Sequence, residues 1–402
     1  MKAFSKLEVT RSQARLFLKA LLDGVPPHSL LTSWLTVGQE QLMTTFDDDL
    51  KSVADGGFRS LFLLGNPGSG KSQLLITLEH LAMQQGFVSA YFSQDVPGRL
   101  AFNRPDQIYR RIMETMRLPG NPKGNVDVLQ DVLDEWTNRS LPRLRHTNRS
   151  MAIMYQLSEA GLLPGSVEQI HRRTSLALVG YIVATERQDE DARMQFLSAL
   201  KGPGLTNSRL IEIAKDIELR IPRYVGYTPS QYDADYYFSQ LRTLIFIFKS
   251  LGYKGMAVLF DEVTAIIDLG SRSREKAYKV LDSLLVDSYR FRGLYTVFAY
   301  MPPFMTQLRA DRGIMGHEHL ERWRHLVDDR MIELSPLSRA DQEELLRRLS
   351  YLHGVAYDWP ATEVVGPRAG SLARAYQESG LPTREFVRMA IDSLDLLYET
   401  HR

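Results

Sequence analysis

Residues 60 to 75 read SLFLLGNPGSGKSQLL, and within them Gly65, Asn66, Pro67, Gly68, Ser69, Gly70, Lys71 and Ser72 fill the pattern G-x-x-x-x-G-K-[ST]. Glycines at this spacing let successive backbone N–H groups turn inward as an anion nest, and the helix that follows adds its positive end. Lys71 would reach the β- and γ-phosphates of a nucleoside triphosphate, and the Ser72 hydroxyl would bind Mg²⁺. Gln73, next in the helix, is counted with the nucleotide-contacting residues.

Such a loop works only between a strand and a helix. RSLFLLG (59 to 65) is a short apolar run of buried-strand type, and KSQLLITLEHLAMQQG (71 to 86) is a helix closed by Gly86. The loop also needs an acidic partner, expected on a neighbouring parallel strand. Met256 to Phe260 forms an apolar run that ends in Asp261-Glu262. Asp261 sits where a carboxylate orders the Mg²⁺ shell, and Glu262 is the candidate to polarise the attacking water. Solvated acids at a strand end are common, so the pair takes its reading from the loop upstream. The next strand is expected at GLYTVFAYMP (293 to 302). Tyr300 at its tip is the candidate γ-phosphate sensor, with packing as its alternative role.

The remainder positions these groups. RSQARLFLKALLDGVPP (11 to 27) reads as an amphipathic helix with Gly24 just past its end, and a second helix follows the turn at Gly38. GFVSAYFSQDV (86 to 96) is the second strand. About 160 residues then separate Val96 from Met256, too many for one connection, and most carry helical periodicity. We read 120 to 225 as a helical insertion and 231 to 252 as the helix leading into the acidic strand. Within the insertion, Arg139, Arg143, Arg145, Arg149, Arg172 and Arg173 form the clearest charge bias and are candidate DNA contacts; a solvated helical face is the alternative.

From about 331 the pattern becomes a short strand, a helix capped by Ser338 with Glu343 and Glu344 in its early turns, and two further helices. The last opens at LPTREFVR. Arg384 and Arg388 share one face of it, and Thr383 is placed to cap it and aim Arg384. A helical domain after such a core would sit as a lid over the nucleotide, with Arg384 reaching the γ-phosphate.

With 402 residues, 44% apolar composition and net charge +1, the chain can bury a large core and is no polyelectrolyte. The absence of cysteine excludes disulfides, thiolate zinc sites and a Cys nucleophile. No stretch has the apolar length of a signal peptide or a membrane span. The expectation is a cytoplasmic protein with no membrane partner.

Taken in order, Val37 to Glu40, GNPGSGKS, the insertion, LGYKGMAVLFDEV, LYTVFAYMPPF, IELSPLS and PTREFVR resemble the AAA+/Orc-like P-loop ATPases of BREX phage-defence systems, the BrxC/BrxD family, and the length suits a BrxD-type member. The resemblance implies an α/β fold: a parallel-sheet ATPase core over 1–330, including N-terminal helices over 1–57, with a helical lid over 331–402. It implies ATP and Mg²⁺ as cofactors, Walker A and B motifs, and Val37 and Gly38 as part of the nucleotide site. It also implies homo-oligomers acting on DNA beside other defence proteins such as a helicase. An oligomer would need an arginine supplied in trans, for which Arg322 and Arg324 are candidates. This chain departs from the family pattern at Gln39, where Arg is common, at the Ala-Tyr-Met-Pro strand tip, and at Ala199-Leu200-Lys201-Gly202. The leading expectation is a DNA-directed, ATP-hydrolysing motor or loader. Its rival is a slow-turnover ATP-dependent switch that controls assembly.

Overall fold

The computed structural model describes residues 8–27, 30–92, 101–120, 127–144, 170–202, 204–219, 229–285, 291–311, 313, 327, 329–378 and 380–401. The apolar runs form a six-stranded sheet of β1 (Phe58–Leu64), β2 (Val88–Phe92), β3 (Met116–Arg117), β4 (Met256–Phe260), β5 (Leu294–Tyr300) and β6 (Met331–Glu333). Its order is β3-β2-β4-β5-β1-β6. Every pairing is parallel except β2 with β3, an antiparallel edge that the sequence did not announce. The acidic strand β4 is not the neighbour of the loop strand β1. β5 lies between them, which corrects the expected adjacency.

Strand alternation sorts the side chains between two cores. Leu61, Leu63, Tyr91, Ala257, Leu259, Tyr295, Val297 and Ala299 face α3 (Glu40–Ala54) and α4 (Lys71–Gln84). Phe62, Phe92, Met256, Val258, Phe260, Phe298 and Tyr300 face the opposite layer. That layer contains α5 (Pro105–Thr115), α6 (Val128–Leu144), α7 (Arg172–Arg187), α8 (Glu190–Lys201), α9 (Asn207–Asp216), α10 (Ala234–Ser250), α11 (Ser271–Leu285) and α12 (Pro302–Ala310). On this face the register aligns Phe92 with Phe260, Phe260 with Phe298, and Phe298 with Phe62. The rings stack at 4.8, 4.8 and 5.5 Å, an aromatic ladder across four strands. It lies one residue before Asp261, so it fixes the strand tips that carry the acids.

The third core is helical. α13 (Arg339–Tyr357), α14 (Ala361–Val365), α15 (Ala369–Glu378) and α16 (Thr383–His401) follow β6. Ser338 caps α13 as expected, with Asp341 closing the capping box. α1 (Arg11–Leu22) and α2 (Leu30–Leu35) precede the sheet in sequence yet share this core: Ala14, Phe17, Leu18, Leu21, Leu31 and Leu35 pack with Leu345, Leu349, Leu352, Phe386 and Leu394. Arg15 Nε donates to the Ala356 carbonyl at 2.8 Å and its guanidinium lies over the Tyr357 ring. α2 also holds the loop helix, through Ser33 Oγ and His80 Nδ1 at 2.7 Å and Thr36 Oγ1 and Thr77 Oγ1 at 2.8 Å. Burial lowers the His80 pKa to about 4, so this imidazole is neutral. Among the described residues, no helix is long and apolar enough to cross a membrane.

Candidate nucleotide site

The glycine-rich loop follows β1, and its start is fixed by the Gly65 N–H, which donates to the Tyr300 carbonyl on β5 at 3.2 Å. Gly68 and Gly70 take φ of +76° and +98°, a backbone region that side chains disfavour. The chain thereby turns directly into α4, which begins at Lys71. Lys71 is buried, and its ammonium donates to the carbonyls of Gly65 at 2.7 Å and Asn66 at 3.0 Å. Burial lowers its pKa, while Asp261 and Glu262 oppose that shift and the Arg384 guanidinium adds to it.

Asp261 continues the alternation of β4. Met256, Val258 and Phe260 face the helical layer, so Ala257, Leu259 and then Asp261 face α4, the loop side. The Asp261 N–H donates to the Phe92 carbonyl at 3.1 Å, and Tyr91 Oη donates to Asp261 Oδ2 at 3.1 Å. Burial raises the Asp261 pKa against hydrogen bonds from Ser72 and Tyr91 and the charge of Lys71. Its Oδ1 is buried with no partner of hydrogen-bond geometry among the described residues. A buried carboxylate oxygen of this kind beside a serine hydroxyl fits a hard divalent cation. Mg²⁺ takes few protein ligands when phosphates and water complete its shell. Ser72 and Asp261 are the residues that would hold it.

Glu262 is half-buried and adopts φ +57° and ψ +49°. A left-handed non-glycine residue is strained, and such strain concentrates at functional sites. The turn that follows, Val263–Asp268, is tied to the tip of β5 by the Met301 N–H, which donates to Thr264 Oγ1 at 2.8 Å.

The last helix closes the site. The Arg384 N–H donates to the Gly68 carbonyl at 3.0 Å, so an otherwise orphaned helix N–H is satisfied by the glycine loop. The positive ends of α4 and α16 therefore converge, which favours an anion between them. Pro382, not Thr383, stands before the first turn of α16, its carbonyl accepting from the Phe386 N–H. Thr383 instead lines the cavity, which also takes in Gly70, Ser72, Gln73, Asp261, Glu262 and Arg384 and encloses about 130 Å³. A small slot lined by Thr36, Val37, Gly70, Gln73, Leu337 and Leu345 adjoins it, sharing Gly70, Gln73 and Thr383. Val37 and Gln39 both line this slot, and Gly38 between them packs on Asp341 and lines the adjoining cavity of about 500 Å³.

The remaining sequence candidates are scattered. Tyr300 is 1% exposed and packs on Phe304; strand alternation carries it to the face opposite Asp261, and Met301 lines the cavity instead. Arg139 is exposed, pairs with Glu135 and donates to the Leu251 carbonyl at 3.3 Å. Arg173 is buried and bonded to Asn207 and the Leu205 carbonyl, which withdraws it from any nucleic-acid surface. Arg172 is exposed, and Arg143 lies on α6. Arg145, Arg149, Arg322 and Arg324 lie outside the described residues. The sequence reading missed Tyr91, Leu21, Gly24 and Pro26, the last three of which line the cavity from the N-terminal segment.

A glycine loop between strand and helix, an acid pair one strand removed, and a mostly parallel sheet define the class of P-loop nucleotide-binding proteins. Within it, the chain belongs to the BREX system ATP-binding protein BrxC/D family, whose match covers residues 9–402. ATP binding and a place in a BREX phage-defence system come with that membership. No curated protein matches the chain.

Proposed function

We propose that this protein hydrolyses ATP with Mg²⁺ and couples the cycle to DNA within a BREX assembly. The observation that carries this reading is the acid pair: Asp261 lies beside Ser72 and keeps a buried oxygen without a hydrogen-bond partner among the described residues, while Glu262 follows it in a strained conformation. Lys71 and the loop amides would bind the phosphates. Mg²⁺ on Ser72 and Asp261 would neutralise charge on the β- and γ-phosphate oxygens. Glu262 would accept a proton from water as its oxygen bonds to the γ-phosphorus, the bond to the bridging oxygen breaks, and ADP leaves. Arg384 would meet the γ-phosphate from α16. Homo-oligomerisation, a trans-acting arginine and a helicase partner follow from the family resemblance, as does an AAA+/Orc-like mode of DNA engagement.

One observation favours the slow switch as a second reading. The cavity of about 130 Å³ falls below the range of about 300–1,000 Å³ usual for ligand sites. A shift of α16, whose Arg384 N–H is bonded to the Gly68 carbonyl, would widen the site for ATP, and on this reading that motion is the output.

The test is the ATPase rate with and without double-stranded DNA, at low and at physiological salt. DNA-stimulated turnover supports the first reading. Tight ATP binding with no turnover under any of these conditions overturns it in favour of the switch.

A further inference from the structure

Arg384 is exposed, lines the phosphate cavity and makes no ion pair with any described residue. Something must aim it, because a free arginine side chain carries about 2 kcal/mol of rotamer entropy. Thr383 does not, since it is not the cap. The cause lies at the other end of the chain. Gly24, at φ +80°, terminates α1 and lies directly against the two arginines of α16. A Cβ built on Gly24 would stand 2.9 Å from Arg388 Nη2, 3.3 Å from Arg384 Cδ and 3.6 Å from Arg384 Nε. Arg388 is fixed on that surface, its Nε donating to the Leu22 carbonyl at 2.9 Å and its Nη1 to Glu385 at 3.2 Å. Leu21, Gly24 and Pro26 line the same cavity as Lys71 and Arg384.

We infer that the end of α1 is a working part of the nucleotide site. Gly24 provides the flat seat on which the Arg384 stem lies, and Arg388, bonded to the last turn of α1, keeps that seat in place. Gly24 and Arg388 are thus positioning residues for Arg384. The inference rests on the proposed contact between Arg384 and the γ-phosphate. It also makes α1 a handle, because α1 shares the helical core of α13 and α16, and a displacement of α1 would carry Arg384 with it.

The test measures ATP and ADP affinities separately for the full chain and for Gly24→Ala, Arg388→Ala, Arg384→Ala and the double variant Gly24→Ala/Arg384→Ala. Thermal unfolding of each variant is recorded alongside. ADP serves as the internal control because it lacks the γ-phosphate. Gly24→Ala should weaken ATP binding about tenfold, on the scale of one charge-assisted hydrogen bond, and change ADP binding less than about twofold. In the Arg384→Ala background it should cause no further loss. Should Gly24→Ala fail to fold, Arg388→Ala provides the same comparison, because it removes the tether without straining the turn. Equal losses for ATP and ADP, or additive losses in the double variant, overturn the positioning role alone. An Arg384→Ala protein with unchanged ATP affinity overturns the γ-phosphate contact itself, and the inference with it.

Discussion

The Arg384 N–H and the Gly68 carbonyl are 3.0 Å apart, so the first turn of the last helix is capped by the loop that would hold the phosphates. Gly68 has no side chain to prevent this approach; a Cβ there would lie 3.2 Å from Pro382 Cβ and 3.3 Å from Arg384 Cβ. The C-terminal helices are thereby joined to the glycine loop by a backbone hydrogen bond.

Tyr91→Phe removes the phenol that holds Asp261 Oδ2 and leaves the carboxylate without that anchor. The Mg²⁺ concentration for half-maximal ATP turnover should rise about tenfold, the scale of one hydrogen bond to a charged group. Affinity for ATP measured without Mg²⁺ should change little. A Mg²⁺ titration of both proteins reads this out, and coincident curves would show that Asp261 needs no such support.

Glu79 lies on α4 with no exposed surface; its Oε1 accepts from Ser89 Oγ at 3.1 Å, and Arg117 on β3 stands 3.5 Å away. Burial raises its pKa from 4.5 to about 7. Because the folded value is the higher one, its stabilising contribution is complete below pH 4.5 and is lost as pH rises through about 7. The loss amounts to about 3 kcal/mol. Between pH 5 and pH 8 the wild type should therefore lose stability relative to Glu79→Gln, as followed by denaturant unfolding. Parallel pH curves would contradict this.

Phe298→Ala removes a central ring of the ladder, at a residue 2% exposed. Buried aromatic truncations cost about 3–5 kcal/mol. The variant should lower the unfolding midpoint accordingly. It should also weaken nucleotide binding, because Phe260, on which Phe298 stacks, immediately precedes Asp261. Unfolding scans and nucleotide titrations would measure both effects.

Much of this architecture was legible in residue order. The loop, the acidic strand and the helices flanking them are local patterns, and Lys71, Ser72, Asp261 and Glu262 meet where those patterns imply. Strand order was not legible, because nothing near β5 states that it inserts between β1 and β4. Tyr300 shows a finer limit. Its position at a strand tip is local, but its face depends on register: Phe260 pairs with Phe298, so Asp261 shares its side of the sheet with Ala299 and not with Tyr300. Gly24 was readable as a helix terminator. Its seat beneath Arg384 is a contact across some 360 positions of chain, and no periodicity records such a contact.

On the proposed function, Glu262 activates water at an ATP site built on Lys71, Ser72 and Asp261. That role is tested most directly by comparing wild type and Glu262→Gln for both ATP affinity and turnover. The variant should bind ATP at least as tightly as the wild type while turnover falls by about 10²-fold or more, the lower range for loss of a general base. Unchanged turnover in a variant that still binds ATP would contradict it.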